Sequence, residues 1–298
     1  MASLYTQQSR NVTKTWLLMS AFFLLIMAVG WFVSYYFGDA SLLYIAVGVA
    51  LTMNVTAYWF SDKIALSSAH AKEADPVQFL ELHRIVENLA ITAGLPKPRV
   101  YIIEDSAPNA FAAGRDKKHA VIAVTTGLLS RLERSELEGV IAHELAHIGN
   151  RDILVMTVAV VLAGVLTVIA DMFLRMSFFS GGGNKDRGGH PLLIIVGIVG
   201  IILAPIAAQL IHLAISRKRE FLADATGALL TRYPDGLAGA LQKISSYSAP
   251  VTHATHATAH LYISNPFGAG EAGSFVGKLF STHPPVEERI AALRGMRV

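Results

Sequence analysis

Two histidines and a glutamate near the middle of the chain have the spacing of a zinc site. Residues 143–147 read His-Glu-Leu-Ala-His. On a helix, residues four apart lie on one face, so both imidazoles can bind one metal ion while Glu144 contacts a water bound to it. A five-residue pattern also arises by chance, so its surroundings must decide. The chemistry that the pattern predicts is hydrolysis by a zinc-activated water.

The segment around this pattern carries the signals of a helix. Ser135 and Glu138 have the S-x-x-E spacing of a capping box, which predicts that the helix begins there and runs through both histidines. Asn150 follows His147 by three residues and lies on the same face. It is either a contact at the rim of the site or a polar helix residue in front of a membrane segment.

A catalytic zinc usually has three protein ligands and one open position, so a third ligand is needed. Asp152 is close in sequence, but it begins the next apolar segment and is expected on another face of the helix. Glu220 is the better candidate, and Asp224, one turn later on the same face, can hold the second nitrogen of a ligand histidine. The alternative is an exposed helix face next to the basic run at 217–219.

The composition is that of a membrane protein. The 298 residues are 53% apolar and only 16% charged, which is too apolar for an ordinary soluble domain. Four apolar runs are long enough to cross about 30 Å of hydrocarbon: residues 15–37, 40–60, 153–174 and 192–215. The first run is too long for a cleaved signal peptide and is interpreted as a retained anchor.

The apolar runs divide the chain into four parts. These are an N-terminal membrane hairpin (1–60), a first soluble part with the histidine pair (61–152), a second membrane hairpin (153–215) and a second soluble part with Glu220 (216–298). Basic residues concentrate on one side, which places both termini in the cytoplasm. Two spans return the chain to its starting side, so Glu220 can meet the histidines at the cytoplasmic membrane surface.

Charge and cysteine content exclude other classes. A net charge of +3 without a basic block gives no sign of nucleic-acid binding, and the absence of cysteine excludes disulfides and thiolate ligands. Within 61–152, a helix is expected from Asp75-Pro76, followed by a strand at 99–104 and a hairpin of 109–114 and 119–125. The expected fold is a mainly α integral membrane protein with four transmembrane helices and a cytoplasmic α+β domain with a small antiparallel sheet.

Four co-ordered stretches of the chain resemble the HtpX family of bacterial heat-shock membrane proteases. They are HELAHIGN at 143–150, EFLAD at 220–224, NAFAAG at 109–114 and THPPVEER at 282–289. The resemblance covers nearly the whole chain. It extends more loosely to the CAAX prenyl endopeptidases, which share the HExxH and ExxxD pair.

The resemblance implies a gluzincin-type zinc endopeptidase of the bacterial inner membrane, with one zinc ion per chain. It implies polypeptide substrates, among them membrane proteins subject to quality control under stress, and an active site at the cytoplasmic face of the bilayer. By position, the zinc ligands are His143, His147 and Glu220; Glu144 matches the general base, and Asp224 the residue that orients a ligand.

The same resemblance extends to groups that would contact substrate. His283 is a candidate oxyanion or substrate contact, although a histidine before a helix is more often a cap or a surface residue, and Arg289 is a candidate substrate contact. Small residues would let a substrate backbone approach an exposed edge strand at 109–113, and the candidate contacts there are Asn109, Ala110, Phe111 and Ala112. The alternative is an ordinary hairpin strand.

Two other functions stay open from the sequence. One is processing of prenylated peptides, as in the CAAX enzymes. The other is a membrane scaffold or channel-like protein in which zinc, if bound, is structural. Glu144 distinguishes the second from a protease, because a structural zinc needs no base beside it.

Overall fold

The computed structural model describes residues 4–179, 217–254, 258–267 and 284–296, so the predicted span at 192–215 lies outside the described residues. The helices are α1 Leu4–Phe37, α2 Ser41–Trp59, α3 Ser61–Ser68, α4 Leu80–Thr92, α5 Thr126–Arg131, α6 Arg134–Gly149, α7 Asp152–Phe179, α8 Arg217–Thr231, α9 Pro234–Ser245 and α10 Val286–Arg294. The strands are β1 Lys72–Glu73, β2 Arg99–Ile103, β3 Ala110–Ala113 and β4 Val121–Thr125. A 3-10 turn covers Ala259–Leu261.

Helices α1 and α2 coincide with the first two predicted spans. The stretches Gln8–Phe37 and Ser41–Trp59 are long and apolar enough to cross a membrane. Aromatic side chains mark both ends of this hairpin, as in the aromatic belts of membrane proteins. Trp16 stacks on Tyr58 with ring centroids 6.3 Å apart at one end, and Trp31 and Tyr35 stack at 5.8 Å at the other.

Helix α7 covers the predicted span at 153–174. It leaves α6 at an angle of 84°, and α6 and α7 taken together are also long and apolar enough to cross a membrane. The break falls at Arg151, whose φ of 58° is rare for a residue with a side chain. Helix α6 is enclosed by the sheet and by α8 and α9, and it belongs to the core that these elements form.

The sheet has the strand order β1-β2-β4-β3. Strand β3 pairs antiparallel with β4, which confirms the predicted hairpin, but β2 pairs parallel with β4. The sheet is therefore mixed, and the expectation of an antiparallel sheet was wrong. The wholly buried, apolar strand β4 takes the central position, and the intervening β3 reverses the chain, so β2 and β4 point the same way.

Two helices begin at other residues than predicted. The capping box of α6 is formed by Glu133 and Glu136, because the Glu136 carboxylate accepts the Glu133 N–H at 2.8 Å. The predicted capping residue Glu138 instead pairs with Arg134 at 3.0 Å. Helix α4 begins at Leu80, not Asp75, since the Asp75 carboxylate closes a turn with the two N–H groups that follow Pro76.

Helix α6 lies at the centre of the core that the sheet and the later helices form. It is buried almost without interruption from Glu136 to Ile148, so almost no part of this stretch faces solvent. One core surrounds it, formed by α4, α8, α9, α10 and inward side chains of β2, β3 and β4. This burial places the histidine pair in the interior of the domain.

Candidate metal centre

Three potential ligand groups converge in the buried interior between α6 and α8. His143, His147 and Glu220 are at most 4% exposed, and one ligand atom from each lies within 4.8 Å of the others. The two Nε2 atoms are 3.1 Å apart. Glu220 Oε1 lies 3.6 Å from His147 Nε2, and Oε2 lies 3.8 Å from His143 Nε2.

These separations fit a tetrahedral zinc ion. Bonds of about 2.0–2.1 Å place two ligand atoms roughly 3.3 Å apart. The Nε2 pair is close to that spacing, and the Glu220 oxygens are a few tenths of an ångström beyond it. Two imidazoles and one carboxylate are also a ligand set that zinc prefers at hydrolytic sites.

The other nitrogen of each imidazole faces an aspartate. His143 Nδ1 lies 2.9 Å from Asp224 Oδ1, as expected for the residue that orients a ligand. His147 Nδ1 lies 3.1 Å from Asp152 Oδ2. With an aspartate beside each Nδ1, both rings present Nε2 to the shared centre.

Asp152 was not expected in this position. It lies five residues beyond His147, which on a continuous helix would put it on another face. The break at Arg151 turns the chain, so Asp152 begins α7 and points back to His147. The sequence did contain a signal for this contact, because Asp152 is an acidic residue only five positions after His147. The assumption of one continuous helix led to its rejection.

Arg289 lies behind Asp224, not at a position open to a substrate. Its side chain is fully buried, and Nη2 and Nε donate to Asp224 Oδ1 and Oδ2 at 2.6 and 2.8 Å. Its Nη1 donates to the carbonyl oxygen of Ile263 at 2.9 Å. The predicted substrate contact is therefore a partner of the aspartate beside His143.

Glu144 lies between the histidines and the sheet. It is 2% exposed, and the backbone N–H of Ala112 in β3 acts to lower the pKa of its carboxyl group. Burial raises the pKa of Glu144 to about 7. A carboxyl group with a pKa near neutrality is suited both to accept and to return a proton.

The two histidines differ in their electrostatic surroundings. Burial lowers the pKa of His143, which favours the neutral ring that a metal requires. Burial also acts to lower the pKa of His147, but its bond to Asp152 and the charge of Glu220 outweigh burial and raise it to about 9. The excess of carboxylates around His147 attracts a cation, and a divalent metal ion would supply that charge.

The predicted substrate strand is the edge strand of the sheet, but it is not exposed. The side chains of β3 are all buried. Segment 258–264 covers the outer edge: the N–H of Ile263 donates to Ala110 O at 2.9 Å, and the Tyr262 ring meets Phe111 edge-on at 5.3 Å. The amide of Asn109 also bonds to this segment, donating to Ser264 O at 3.1 Å.

Of the last two candidates, only Asn150 lies in the described part of the chain. Asn150 is 1% exposed and ends α6, where its carbonyl oxygen accepts a hydrogen bond from α1. It therefore lies against the membrane hairpin and not at a rim. His283 lies outside the described residues.

A buried histidine pair with a glutamate, set in a helical protein with apolar hairpin helices, defines the class of membrane metallopeptidases. The chain belongs to Peptidase family M48, whose family model matches residues 76–297. It is a membrane metalloendopeptidase, and the resemblance stated from the sequence is confirmed.

Curated relatives match the chain over nearly its whole length. It is 48% identical over 302 residues to the protein called Protease HtpX homolog in Caldanaerobacter subterraneus subsp. tengcongensis, covering 99% of each chain. The Pyrococcus furiosus protein of the same name is 50% identical over 283 residues, covering 94% of each. The crystal structure of S. mikatae Ste24p shares the fold, with a TM-score of 0.51 at 18% identity. That match covers 97% of this chain but only 66% of that chain.

Proposed function

We propose that the chain is a zinc-dependent endopeptidase of the bacterial inner membrane that cleaves polypeptides, including misfolded membrane proteins under stress. The observation that carries the proposal is the buried convergence of His143, His147 and Glu220 with Glu144 beside them. A structural zinc site closes its fourth position with another ligand and needs no base. Here a carboxylate with a pKa near 7 stands next to a three-ligand set.

In this mechanism each residue has one task. When bound, zinc supplies a Lewis acid and a water of lowered pKa. Glu144 takes the proton of the attacking water and returns it to the leaving amine. Asp224 and Asp152 keep the two imidazoles in the orientation that presents Nε2 to the metal.

The membrane hairpin sets the height of the site. Trp16 and Tyr35 are separated by about 28 Å along α1, which matches the thickness of the hydrocarbon. Asn11, which contacts the end of α6, lies about 8 Å beyond Trp16 on the N-terminal side. We therefore place the metal centre at the membrane surface, and the excess of basic residues on that side makes it the cytoplasmic one.

Substrate would bind as an added strand at β3. Its outer edge offers the Ala110 carbonyl oxygen, which now accepts the N–H of Ile263. A peptide bound there would run past Glu144, because Ala112 in the same strand lies close enough to Glu144 to influence its pKa. Segment 258–264 must move away before a peptide can bind, and His283 remains a candidate contact for the developing oxyanion.

The test replaces Glu144 with Gln and measures zinc content and casein cleavage of the full-length protein. We expect zinc to be retained and cleavage to fall about 10²- to 10⁴-fold, since a general base is lost and the ligands are not. Glu138→Gln on the same helix is the matched control, because Glu138 pairs with Arg134 away from the centre. Undiminished cleavage by Glu144→Gln would leave the scaffold alternative standing.

A second comparison separates general proteolysis from prenyl-peptide processing. Purified protein is given a prenylated C-terminal peptide and the same peptide without the prenyl group. We expect cleavage of both at similar rates. A strict requirement for the prenyl group would instead assign the CAAX-type function.

A further inference from the structure

Helix α1 has a polar face at its N-terminal end. Gln8, Asn11 and Thr15 follow one another at spacings of three and four, so they lie on one side of the helix. This face contacts the C-terminal end of α6. The Gln8 amide donates to Gly149 O at 2.8 Å, and the Asn11 amide donates to Asn150 O at 3.0 Å.

The end of α6 needs such donors. The last carbonyl groups of a helix have no partner within the helix, and burial without a partner is costly. Membrane helix α1 therefore supplies the capping of the helix that carries both candidate ligand histidines. This contact joins the anchor directly to the metal centre.

Asn11 also contacts the aspartate behind His147. Its Nδ2 donates to Asp152 Oδ1 at 2.7 Å, while Asp152 Oδ2 lies 3.1 Å from His147 Nδ1. The amide of Asn11 carries two hydrogens, so it can serve Asp152 and the Asn150 carbonyl together. On the other side, Arg219 Nη1 donates to Asn11 Oδ1 at 3.5 Å.

This network is closed to water. Asn11, Asp152 and Arg219 are 1%, 0% and 3% exposed. A buried carboxylate keeps its orientation only as long as its hydrogen-bond donors hold it, because no solvent replaces a lost partner. Asn11 holds one oxygen of Asp152 and thereby aims the other at His147.

We propose that Asn11 of the first membrane helix is a positioning residue of the metal centre, acting on His147 through Asp152. The inference rests on the proposed function, since it takes His147 to be a zinc ligand. Partners of ligating histidines typically contribute 10- to 100-fold to metal affinity. Asn11 is one hydrogen bond further from the metal than Asp152 is, so we expect its effect on zinc affinity at the lower end of that range.

The test is zinc affinity of the full-length protein in detergent, measured by competition with a chromogenic zinc chelator. Asn11→Leu keeps the size of the side chain and removes its hydrogen bonds to Asp152, Asn150 and Arg219, and we expect zinc to bind about 10-fold more weakly. Asn54→Leu is the matched control: Asn54 is also a buried asparagine of the membrane hairpin, but its amide donates to Ala50 O in its own helix. We expect wild-type affinity for the control.

A double-mutant cycle separates positioning from simple packing of α1. If Asn11 acts through Asp152, Asn11→Leu has little further effect on zinc affinity in an Asp152→Leu background. In an Asp224→Asn background it keeps its full effect, because Asp224 serves the other histidine. Equal effects in both backgrounds would overturn the proposed route.

Cobalt gives a second measurement that does not depend on the folding of the Asp152 variant. The visible absorption bands of bound Co²⁺ report the geometry of its ligands. We expect altered bands for Asn11→Leu and wild-type bands for Asn54→Leu. Unchanged zinc affinity and unchanged bands for Asn11→Leu would overturn the inference. Intact zinc binding by His143→Ala would contradict the proposed metal centre itself. This outcome is distinguishable from failure of the Asn11 inference, in which His143→Ala loses zinc but Asn11→Leu does not.

Discussion

Each candidate ligand histidine has its own group of buried polar residues behind Nδ1, which we call its arm, and the two arms differ in composition. The His143 arm consists of Asp224 and Arg289, joined by two hydrogen bonds of 2.6 and 2.8 Å. The His147 arm consists of Asp152, Asn11 and Arg219; its strong contact to Asp152 comes from the neutral amide of Asn11 at 2.7 Å, while Arg219 Nε stands 3.7 Å away. One arm is a full ion pair within the domain, and the other depends on a membrane helix.

This difference agrees with the electrostatics of the two rings. Burial lowers the pKa of His143 and outweighs the opposing effect of the Asp224 carboxylate, whose charge Arg289 partly offsets. At His147 the carboxylates prevail over burial and raise the pKa to about 9. In the His143 arm the carboxylate of Asp224 is in direct contact with the charge of Arg289, whereas in the His147 arm the charge of Arg219 stands 3.7 Å from Asp152 and Glu220 adds a second carboxylate near the ring.

The largest expected effect is on stability, when each arm loses its arginine. Arg289→Leu leaves the buried carboxylate of Asp224 without its partner, which costs about 3–5 kcal/mol of the free energy of unfolding. Arg219→Leu should cost less, about 1–3 kcal/mol, because Asn11 still donates to Asp152. Denaturant unfolding of the purified full-length variants measures both. Equal losses would show that the two arms are not different in kind.

The sequence reveals the two arms unequally. Asp224 follows Glu220 by four residues on one helix, so local periodicity is sufficient to pair it with a ligand histidine. Asp152 escapes the same rule because the helix breaks at Arg151, and no local pattern there signals a positive φ. Asn11 lies so far from His147 along the chain that only the packing of α1 on α6 brings them together.

The same limit applies to the fold. The β3–β4 hairpin is visible from the polar turn between its strands, but the parallel pairing of β2 with β4 depends on which strand the core buries on both faces. Segment 258–264 reaches β3 from about 150 residues away, which made the edge strand look free in the sequence. Arg289 lies in a stretch that the family resemblance marked, and only its burial shows that it faces Asp224.

A second comparison concerns zinc affinity when each aspartate becomes an amide. Asp152→Asn should weaken zinc binding about 10- to 100-fold, because it removes the charge that holds His147 Nδ1. Asp224→Asn should reach or exceed the upper end of that range, because it also leaves the Arg289 guanidinium buried beside a neutral group. Chelator competition gives both constants. A larger effect for Asp152→Asn would reverse the order of the two arms.

The smallest expected effects come from one added methyl group beside each arm. Gly227 lies two helical turns after Glu220 on the same face of α8. A Cβ at this position would stand 3.0 Å from the backbone nitrogen of His143 and 3.2 Å from the carbonyl carbon of Ala142. Because these are backbone atoms of α6 and cannot easily move aside, α8 must shift by a few tenths of an ångström. Glu220, which is part of α8, would shift with it. Gly227→Ala should therefore cost about 1 kcal/mol in stability, the low end for overpacking, together with some zinc affinity.

Gly149, at the end of α6 near the His147 arm, is the control for that change. Its added Cβ would meet only Leu95 Cδ1 at 3.9 Å, an ordinary contact. Gly149→Ala should stabilise the protein by about 0.5–1 kcal/mol, as alanine does for glycine in a helix, and leave zinc affinity unchanged. The same unfolding and chelator measurements apply. If both alanines behave alike, then the close packing of α8 on α6 does not set the position of Glu220, and the His143 arm is held by its ion pair alone.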